Sequence, residues 1–507
     1  MLIGFDASRA FVNEATGTEN YSLNLLRALA KIDRKNRYRV YVRSVGSWDG
    51  RTVGKKSRSN YPTIQLSNYP DNFEFVKVSP NRLWTQIGLA LETWRNPVDV
   101  LFIPAHTLPV LRKRKILLGG KGKEAGLVRG LGERLKAPNP KTLNKTGFLT
   151  YKPLTKYVVT IHDLGVEYLP GYHSFPGRYY LDLASRYAAR EAEAIIAVSK
   201  ATKKDLVSRY KVASKKVHVV GEGVDLRFFR PKGQKEIQKV KSRYKISGNY
   251  VLAVGTVQPR KNLEMLIKAF KQVSGMVGRW DGGRKARPTI LQSYNPTDLK
   301  LVIAGKLGWY YQKIIDLPKK LGIRDKVRFL GYVKDADLPS LYSGAVVFAS
   351  PSLFEGFDLP ILEALACGCY VAASDIVPHR EIFAKVAGPV SRFPPAYAEA
   401  SAGKPASKSS AALPLEAKRS GVGSPSTTAT RKNNNSSLHE PMILAKPKDT
   451  RQWTHFLYQY ISLYNNRLIL ASKEERVDVI KKVLASQFSW QKAARETLKV
   501  LEEISLK

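Results

Sequence analysis

Two glutamates, Glu355 and Glu363, stand with seven residues between them in the segment Ser350-Pro351-Ser352-Leu353-Phe354-Glu355-Gly356-Phe357-Asp358-Leu359-Pro360-Ile361-Leu362-Glu363. The segment reads as the end of a buried strand, a tight loop containing Gly356, and a helix that opens at Leu359-Pro360. Proline is tolerated at the start of a helix because the amide it lacks would have no partner there. Glu355 then lies in the loop and Glu363 one turn into the helix, so both carboxylates and several free backbone N–H groups are directed into one crevice. A helix N-terminus favours an anion such as a diphosphate, and carboxylates suit sugar hydroxyls. A site that wants both chemistries is a nucleotide-sugar site. Acids are also common at helix starts for electrostatic reasons alone, so the surrounding residues have to decide.

The segment resembles the E-x7-E signature of retaining glycosyltransferases of the GT-B fold, in particular the large family 4 (group 1) that includes many bacterial mannosyltransferases. The resemblance runs through most of the chain apart from several insertions. It implies that Glu355 contacts the donor hexose and Glu363 the ribose, with Gly356, Phe357, Asp358 and Leu359 between them at the donor. Related loops often read E-G-F-G-L-P, whereas Asp358 stands here in place of the second glycine. A carboxylate beside a diphosphate is repulsive unless it points away. Asp is a good N-cap residue, so Asp358 is expected to cap the helix at Leu359, with a changed sugar preference as the alternative.

Further motifs fall at strand ends. Thr16-Gly17-Thr18-Glu19-Asn20-Tyr21 follows the first strand and opens a helix; Gly17 would let backbone approach a phosphate closely. The full G-x-G-x-x-G dinucleotide fingerprint is absent. Val158-Val159-Thr160-Ile161-His162-Asp163 sets His162 and Asp163 just past a strand. By resemblance His162 lies near the donor sugar, Asp163 orients His162 or meets the acceptor, and neither is a covalent nucleophile. His106 is a weaker candidate for lining the cleft. Gly255-Thr256-Val257-Gln258-Pro259-Arg260-Lys261-Asn262 follows another strand; Arg260 and Lys261 there can neutralise a leaving diphosphate. Relatives often carry Arg directly after the Gly, at the position of Thr256, so Arg260 is expected to supply that charge from further along and Lys261 to match the family lysine. Gly305 and Lys306 end the strand Leu301–Ala304, and the strand Val327–Leu330 leads to Tyr332 and Val333, whose backbone would border the nucleobase. Asp335-Ala336-Asp337 matches the D-x-D metal motif of the other major glycosyltransferase fold, but it precedes Leu338-Pro339 and reads as acids at a helix start. No metal site and no cofactor beyond the nucleoside diphosphate sugar are expected.

The elements that must position these residues alternate strand and helix. Strands at Leu2–Phe5, Tyr38–Val42, Val98–Ile103, Tyr157–Ile161 and Ala194–Val198 accompany helices at Tyr21–Lys31 and after Ser199. The pattern restarts with strands at Tyr250–Val254, Leu299–Ala304, Val327–Leu330, Ala345–Ala349 and Cys369–Ala373 and the helix Leu263–Val273. Such alternation argues for α/β, doubly wound parallel sheets, and ligands of these sheets bind beyond the carboxyl ends of the strands. Together with the resemblance, which implies the GT-B fold class, this alternation leads to the expectation of two Rossmann-like domains facing across a cleft. The domains are placed at 1–228 (acceptor side), 229–480 (nucleotide-sugar side) and 481–507 (a C-terminal helix returning to the first domain), joined near Phe228–Arg243. Insertions break the pattern at 111–156, 274–298 and 390–440; the last, rich in Ser, Ala, Pro, Lys and Asn, is expected to be disordered.

The 507 residues suffice for two or three domains. No run of about 18 apolar residues suggests a spanning helix, and Met1-Leu2-Ile3-Gly4-Phe5-Asp6 reads as a first strand instead of a secretion signal. Cys367 and Cys369, the two cysteines, read as a buried reduced pair that suits a cytoplasmic protein. Charge is the unusual global property: 84 Lys and Arg against 42 Asp and Glu, formally +42. Residues 111–156 alone hold 13 Lys and Arg against Glu124 and Glu133. Such a surface attracts polyanions; an anionic membrane on the inner face of the plasma membrane is the expected contact, since no aromatic–basic motif points to a specific nucleic acid.

The resulting expectation is a metal-independent retaining hexosyltransferase. It moves a hexose, with GDP-mannose the favoured donor, to a saccharide or lipid-linked saccharide in cell-envelope polysaccharide or glycolipid synthesis. The alternatives are a nucleotide-sugar epimerase on the same fold, and a basic polyanion- or membrane-binding protein whose transferase site is secondary or inactive.

Overall fold

In the computed structural model the described residues are 1–12, 14–43, 66–80, 83–105, 107–112, 114–118, 149–165, 177–277, 299–386, 442–465 and 473–506. His106, most of the insertion at 111–156, residues 278–298 and the stretch 390–440 lie outside them.

The fully apolar segments become central strands. Seven parallel strands form the first sheet: β1 (Leu2–Asp6), β2 (Arg37–Val42), β3 (Phe73–Lys77), β4 (Val100–Ile103), β7 (Lys156–Ile161), β8 (Ala194–Ala197) and β9 (Val217–Val219), in the order β3-β2-β1-β4-β7-β8-β9. Every residue of β4 and β8 is buried, as expected where helices cover both faces of a parallel sheet. The second sheet has six strands: β10 (Asn249–Val254), β11 (Leu299–Ala304), β12 (Val327–Gly331), β13 (Val347–Ser350), β14 (Val371–Ser374) and β15 (Met442–Ala445), in the order β12-β11-β10-β13-β14-β15. All of their pairings are parallel. In both sheets the order reverses beside the first strand of the sheet, which is where doubly wound sheets open a crevice. The described parts of the basic insertion, β5 (Arg114–Leu118) and β6 (Leu149–Pro153), pair as an antiparallel hairpin.

The helix Gly17–Ile32 buries Tyr21, Leu25, Leu26, Ala28 and Leu29, the i, i+4 and i+7, i+8 spacing of one helical face. Against it packs the C-terminal helix Trp490–Leu506, which buries Trp490, Ala493, Ala494, Thr497, Val500, Leu501 and Ile504. This helix also touches β4, β7 and β8, so the end of the chain returns to the first sheet. The helix before it, Lys473–Gln487, instead packs on Leu359–Ala366 and Val377–Val386 beside the second sheet. Where the two connections between the sheets pass each other, the Val224 N–H donates to the Phe488 carbonyl at 2.8 Å. The segment expected to join the domains is itself partly structured: Gln234–Arg243 is a helix lying against Leu338–Gly344 of the second sheet's helical layer. Cys367 and Cys369 are buried free thiols. Among the described residues no helix is long and apolar enough to cross a membrane.

Candidate active site at the inter-sheet cleft

The two loops that carry the charged residues are built to meet. Pro259 starts a single 3-10 turn, Pro259–Lys261, and Asn262 ends it in the left-handed region at φ 54°, a conformation asparagine tolerates. The Asn262 side-chain amide donates to the Pro351 carbonyl at 3.0 Å and to the Pro447 carbonyl at 2.6 Å. The Leu353 N–H donates to the Arg260 carbonyl at 2.9 Å. These bonds hold the turn after β10 against the loop after β13, and they account for the Pro-Arg-Lys-Asn order in physical terms.

Arg260 and Lys261 therefore converge on Glu355. One carboxylate oxygen, Oε2, accepts from Arg260 Nη1 at 2.6 Å; the other, Oε1, lies 2.6 Å from Lys261 Nζ and accepts from Ser352 Oγ at 2.7 Å. Arg260 Nη1 also donates to the Phe354 carbonyl at 3.1 Å and lies 3.8 Å from Asp163 Oδ2 across the cleft. Burial works against the Lys261 ammonium, but Asp358 and Glu355 outweigh it and raise its pKa. Both cations are thus held charged in a partly buried site, where their field on a bound anion is screened less than in bulk water.

On the opposite wall His162 is fixed from both sides. Nδ1 lies 3.2 Å from Glu222 Oε1 and Nε2 lies 3.1 Å from the Pro104 carbonyl, and the ring meets Tyr21 edge-on at 4.7 Å. The Pro104 carbonyl can only accept, so Nε2 carries a hydrogen, and an ionised Glu222 accepts from Nδ1 of a protonated ring. Its pKa is raised: burial opposes the charge, and the hydrogen bond and negative charge of Glu222 overcome it. With no free lone pair His162 is neither a general base nor a nucleophile in this arrangement. The sequence-based option that Asp163 orients His162 is corrected here. Glu222, in the loop after β9, and Pro104, just after β4, reach the ring at the end of β7, while Asp163 Oδ1 accepts the Gly165 N–H at 2.9 Å.

Glycine is required where the walls approach. A Cβ on Gly356 would drive into the His162 carbonyl, so any larger residue would push the signature loop away from the first sheet. Gly305 has φ +153°, and a Cβ there would strike the Gly255 carbonyl; β10 and β11 end too close together for a side chain. Across the mouth Lys306 Nζ lies 2.9 Å from Glu14 Oε2 and donates to the Glu14 carbonyl at 2.7 Å. The ammonium also sits 5.3 Å from the centre of the Tyr332 ring.

Asp358 departs from expectation. It occupies the N-cap position of the helix Leu359–Ala366, but its side chain makes no capping bond. The residue is left-handed, φ 90° and ψ 69°, which turns the carboxylate away from the helix amides. Oδ2 instead accepts from Ser350 Oγ and lies 3.1 Å from His379 Nε2, while Oδ1 lies 3.6 Å from Lys261 Nζ. Burial would raise its pKa, but Lys261 and the hydrogen bond and charge of His379 hold it well below the usual carboxylate range. Glu363 is the contrasting acid. Its Oε2 accepts from Tyr342 OH at 2.8 Å, yet burial, together with the charges of Asp335, Asp358 and Glu222, raises its pKa to about 7.

One cleft of about 490 Å³ collects the described residues proposed from sequence as site residues at the strand ends. Gly17, His162 and Asp163 come from the first sheet's side; Gly255, Thr256, Arg260, Lys261, Gly305, Tyr332, Val333, Glu355, Gly356, Phe357, Asp358, Leu359 and Glu363 come from the second. The D-x-D pair splits. Asp337 is bound by Arg243 Nη1 at 2.5 Å and by Tyr244 OH at 2.9 Å, whereas Asp335, read from sequence only as a helix-start acid, lines the cleft. Among the described residues no group of three or more His, Cys, Asp or Glu side chains is placed to hold a metal ion. Sequence reasoning missed Glu222 and His379. The only local trace of Glu222 is its place in Gly221-Glu222-Gly223 just after β9, and His379 carries no motif at all. A larger groove of about 830 Å³, beside Phe11, Arg27, Tyr69 and Trp490, contains neither signature glutamate.

Known proteins share these segments. Residues 234–388 match the family model for glycosyl transferases group 1, and residues 146–228 match that for Glycosyltransferase Family 4. The O-antigen chain mannosyltransferase B of Escherichia coli is 27% identical over 230 residues, covering 45% of this chain and 55% of that protein. The O-antigen chain mannosyltransferase RfbU of Salmonella typhimurium is 29% identical over 229 residues, again 45% and 55%. The chain thus spans about half the length of these curated relatives. Among solved structures, Anabaena HepE in complex with UDP and glucose aligns with a TM-score of 0.55 at 15% identity, over 99% of this chain and 100% of that one. At that identity the likeness speaks to the fold, which is the two-domain GT-B fold. Over residues 146–228 and 234–388 the chain is similar to the family 4 and group 1 glycosyltransferases.

Proposed function

We propose that the protein transfers a hexose from a nucleoside diphosphate donor to a saccharide or lipid-linked saccharide acceptor with retention of configuration. The observation that carries this reading is the meeting of Arg260, Lys261 and Glu355 at the carboxyl edge of the second sheet, opposite the His162–Glu222 pair of the first. In the proposed reaction the donor diphosphate lies against Arg260 and Lys261. As the bond from the anomeric carbon to the phosphate oxygen breaks, these cations stabilise the charge left on the diphosphate. The acceptor hydroxyl attacks the same face and forms the new C–O bond, and its proton passes to an oxygen of the departing diphosphate. Glu355 receives hydroxyls of the hexose, Glu363 those of the ribose, and the backbone near Tyr332 and Val333 borders the base. The two cations meet the diphosphate charge themselves, so the proposed reaction is independent of metal.

GDP-mannose is the favoured donor, because the relatives named above are called mannosyltransferases and act in O-antigen chains. The test is nucleotide release from GDP-mannose, UDP-glucose, UDP-GlcNAc and ADP-glucose, with and without chelator, alongside direct donor binding. One donor turned over, insensitively to chelator, supports the reading. If none is turned over and none binds, the reading is wrong.

Contact with an anionic membrane at the cytoplasmic face belongs to the same proposal. Leu83, Ile87 and Leu91 repeat every four residues and are exposed, as are Val110 and Leu111 close by, where the basic insertion begins. Lysine and arginine near an anionic surface contribute about 1 kcal/mol each. Vesicle flotation is expected to rise with phosphatidylglycerol content and to fall for Leu83→Glu with Ile87→Glu. Flotation that ignores lipid charge would contradict it.

A further inference from the structure

We infer that His379 is a positioning residue for the diphosphate-binding lysine, acting through Asp358, whose carboxylate it fixes so that one oxygen faces Lys261. The inference rests on the reading of the cleft as a nucleotide-sugar site and deepens it.

The geometry is a relay from behind the cleft wall. His379 sits in the first turn of the helix Val377–Val386 and is fully buried. Nδ1 lies 2.8 Å from the Ser374 carbonyl and Nε2 lies 3.1 Å from Asp358 Oδ2. That same oxygen accepts from Ser350 Oγ, so Oδ2 is anchored from two sides. Oδ1 makes no hydrogen bond and points to Lys261 Nζ, 3.6 Å away. The ammonium is thereby set between Asp358 and Glu355, with Glu355 Oε1 at 2.6 Å.

Two features argue that this arrangement serves the lysine. Asp358 holds a left-handed backbone, which disfavours a residue with a Cβ and persists only where several contacts over-determine it. Glycine would take the same turn without strain, so the carboxylate itself is what the position provides. In addition, a buried carboxylate is costly unless paired, and Asp358 has Lys261 on one side and its hydrogen-bond partners His379 and Ser350 on the other. When a diphosphate takes its place beside Lys261, Glu355 becomes free to turn to the hexose. Asp358 cannot follow, because His379 and Ser350 hold it from the side away from the cleft. It remains the fixed anchor that keeps the ammonium aimed at the diphosphate.

The experiment is calorimetric titration with GDP, UDP, guanosine and uridine of wild-type protein, His379→Ala, His379→Gln, Asp358→Gly and the double variant His379→Ala with Asp358→Gly. Asp358→Gly suits the left-handed turn and guards against a result set by misfolding. His379→Ala is expected to weaken binding of the preferred diphosphate about tenfold, the scale of one lost charged contact, and to leave the matching nucleoside unchanged. Asp358→Gly should show the same loss, and the double variant no further loss, because the two residues act in one relay. His379→Gln, which keeps an N–H donor toward Asp358, should retain most of the affinity. Equal loss for nucleoside and diphosphate, additive losses in the double variant, or no loss at all would each overturn the inference and leave the nucleotide-sugar reading standing. Wild-type protein that bound neither GDP nor UDP would remove that reading, and this inference with it.

Discussion

Glu355→Gln is expected to lower hexose transfer by about two to three orders of magnitude, the usual cost of removing one positioned electrostatic group, while binding nucleoside diphosphate at least as tightly as the wild type. The two halves of this result have one cause. Glu355 is paired with both Arg260 and Lys261, at 2.6 Å from each. A diphosphate must displace that carboxylate from the cations before it can bind them fully. Glutamine keeps the shape of the side chain but removes its charge, so the cations are left waiting for an anion and the competition disappears. The catalytic loss comes from the other half of the exchange: a carboxylate released from the cations stabilises positive charge developing on the hexose, and an amide does so poorly. Steady-state nucleotide release together with GDP and UDP titration separates the two. A variant that loses diphosphate affinity in parallel with rate would show that Glu355 only holds the loop together.

Donor binding is expected to weaken as the pH falls through about 7, in step with protonation of Glu363. An ionised Glu363 keeps Oε1 open to a ribose hydroxyl while Oε2 accepts from Tyr342; once protonated it loses charge and acceptor capacity. The apparent KM for the intact donor should therefore rise several-fold from pH 8 to pH 6 with little change in kcat, and Glu363→Gln should flatten that profile. Stability moves in the opposite sense. The folded protein holds this proton up to about pH 7, whereas an unfolded glutamate has released it by the ordinary carboxylate range. The contribution is thus fully favourable at low pH and is lost as the pH rises through that window, by roughly 3 kcal/mol. Glu363→Gln removes the penalty, so at pH 8 the variant should melt higher than the wild type even as it binds donor less well. A variant that melted lower at pH 8, with an unchanged KM profile, would place Glu363 among ordinary structural acids.

The fold was legible because its signals are local. A fully apolar four-residue run such as Val100–Ile103 or Ala194–Ala197 has little choice but a strand buried on both faces, and the spacing of Tyr21, Leu25 and Leu29 marks one helical face. Errors sat at element ends. The helix expected at Tyr21–Lys31 starts earlier, at Gly17, because the Glu19 carboxylate accepts the Thr16 N–H and closes the first turn. Asp358 was misread for a related reason. N-cap preference describes a residue by its helix, and the left-handed turn that aims this side chain elsewhere is stabilised by Ser350 and His379, on a different strand and a different helix.

Residue types and their spacing mark which side chains stand at strand ends: Glu355 and Glu363 around a helix start, Arg260 and Lys261 after one strand, His162 and Asp163 after another. Motif and strand end are neighbours along the chain, so composition and spacing suffice to find them. What those side chains do to one another follows from the packing of the fold. It set Glu222 rather than Asp163 behind His162, put both cations on one carboxylate, and placed His379 behind Asp358. Those pairings depend on which strands lie side by side and on how closely glycine lets two backbones approach. Such distances are settled by packing in three dimensions, and no local pattern of residue types encodes them.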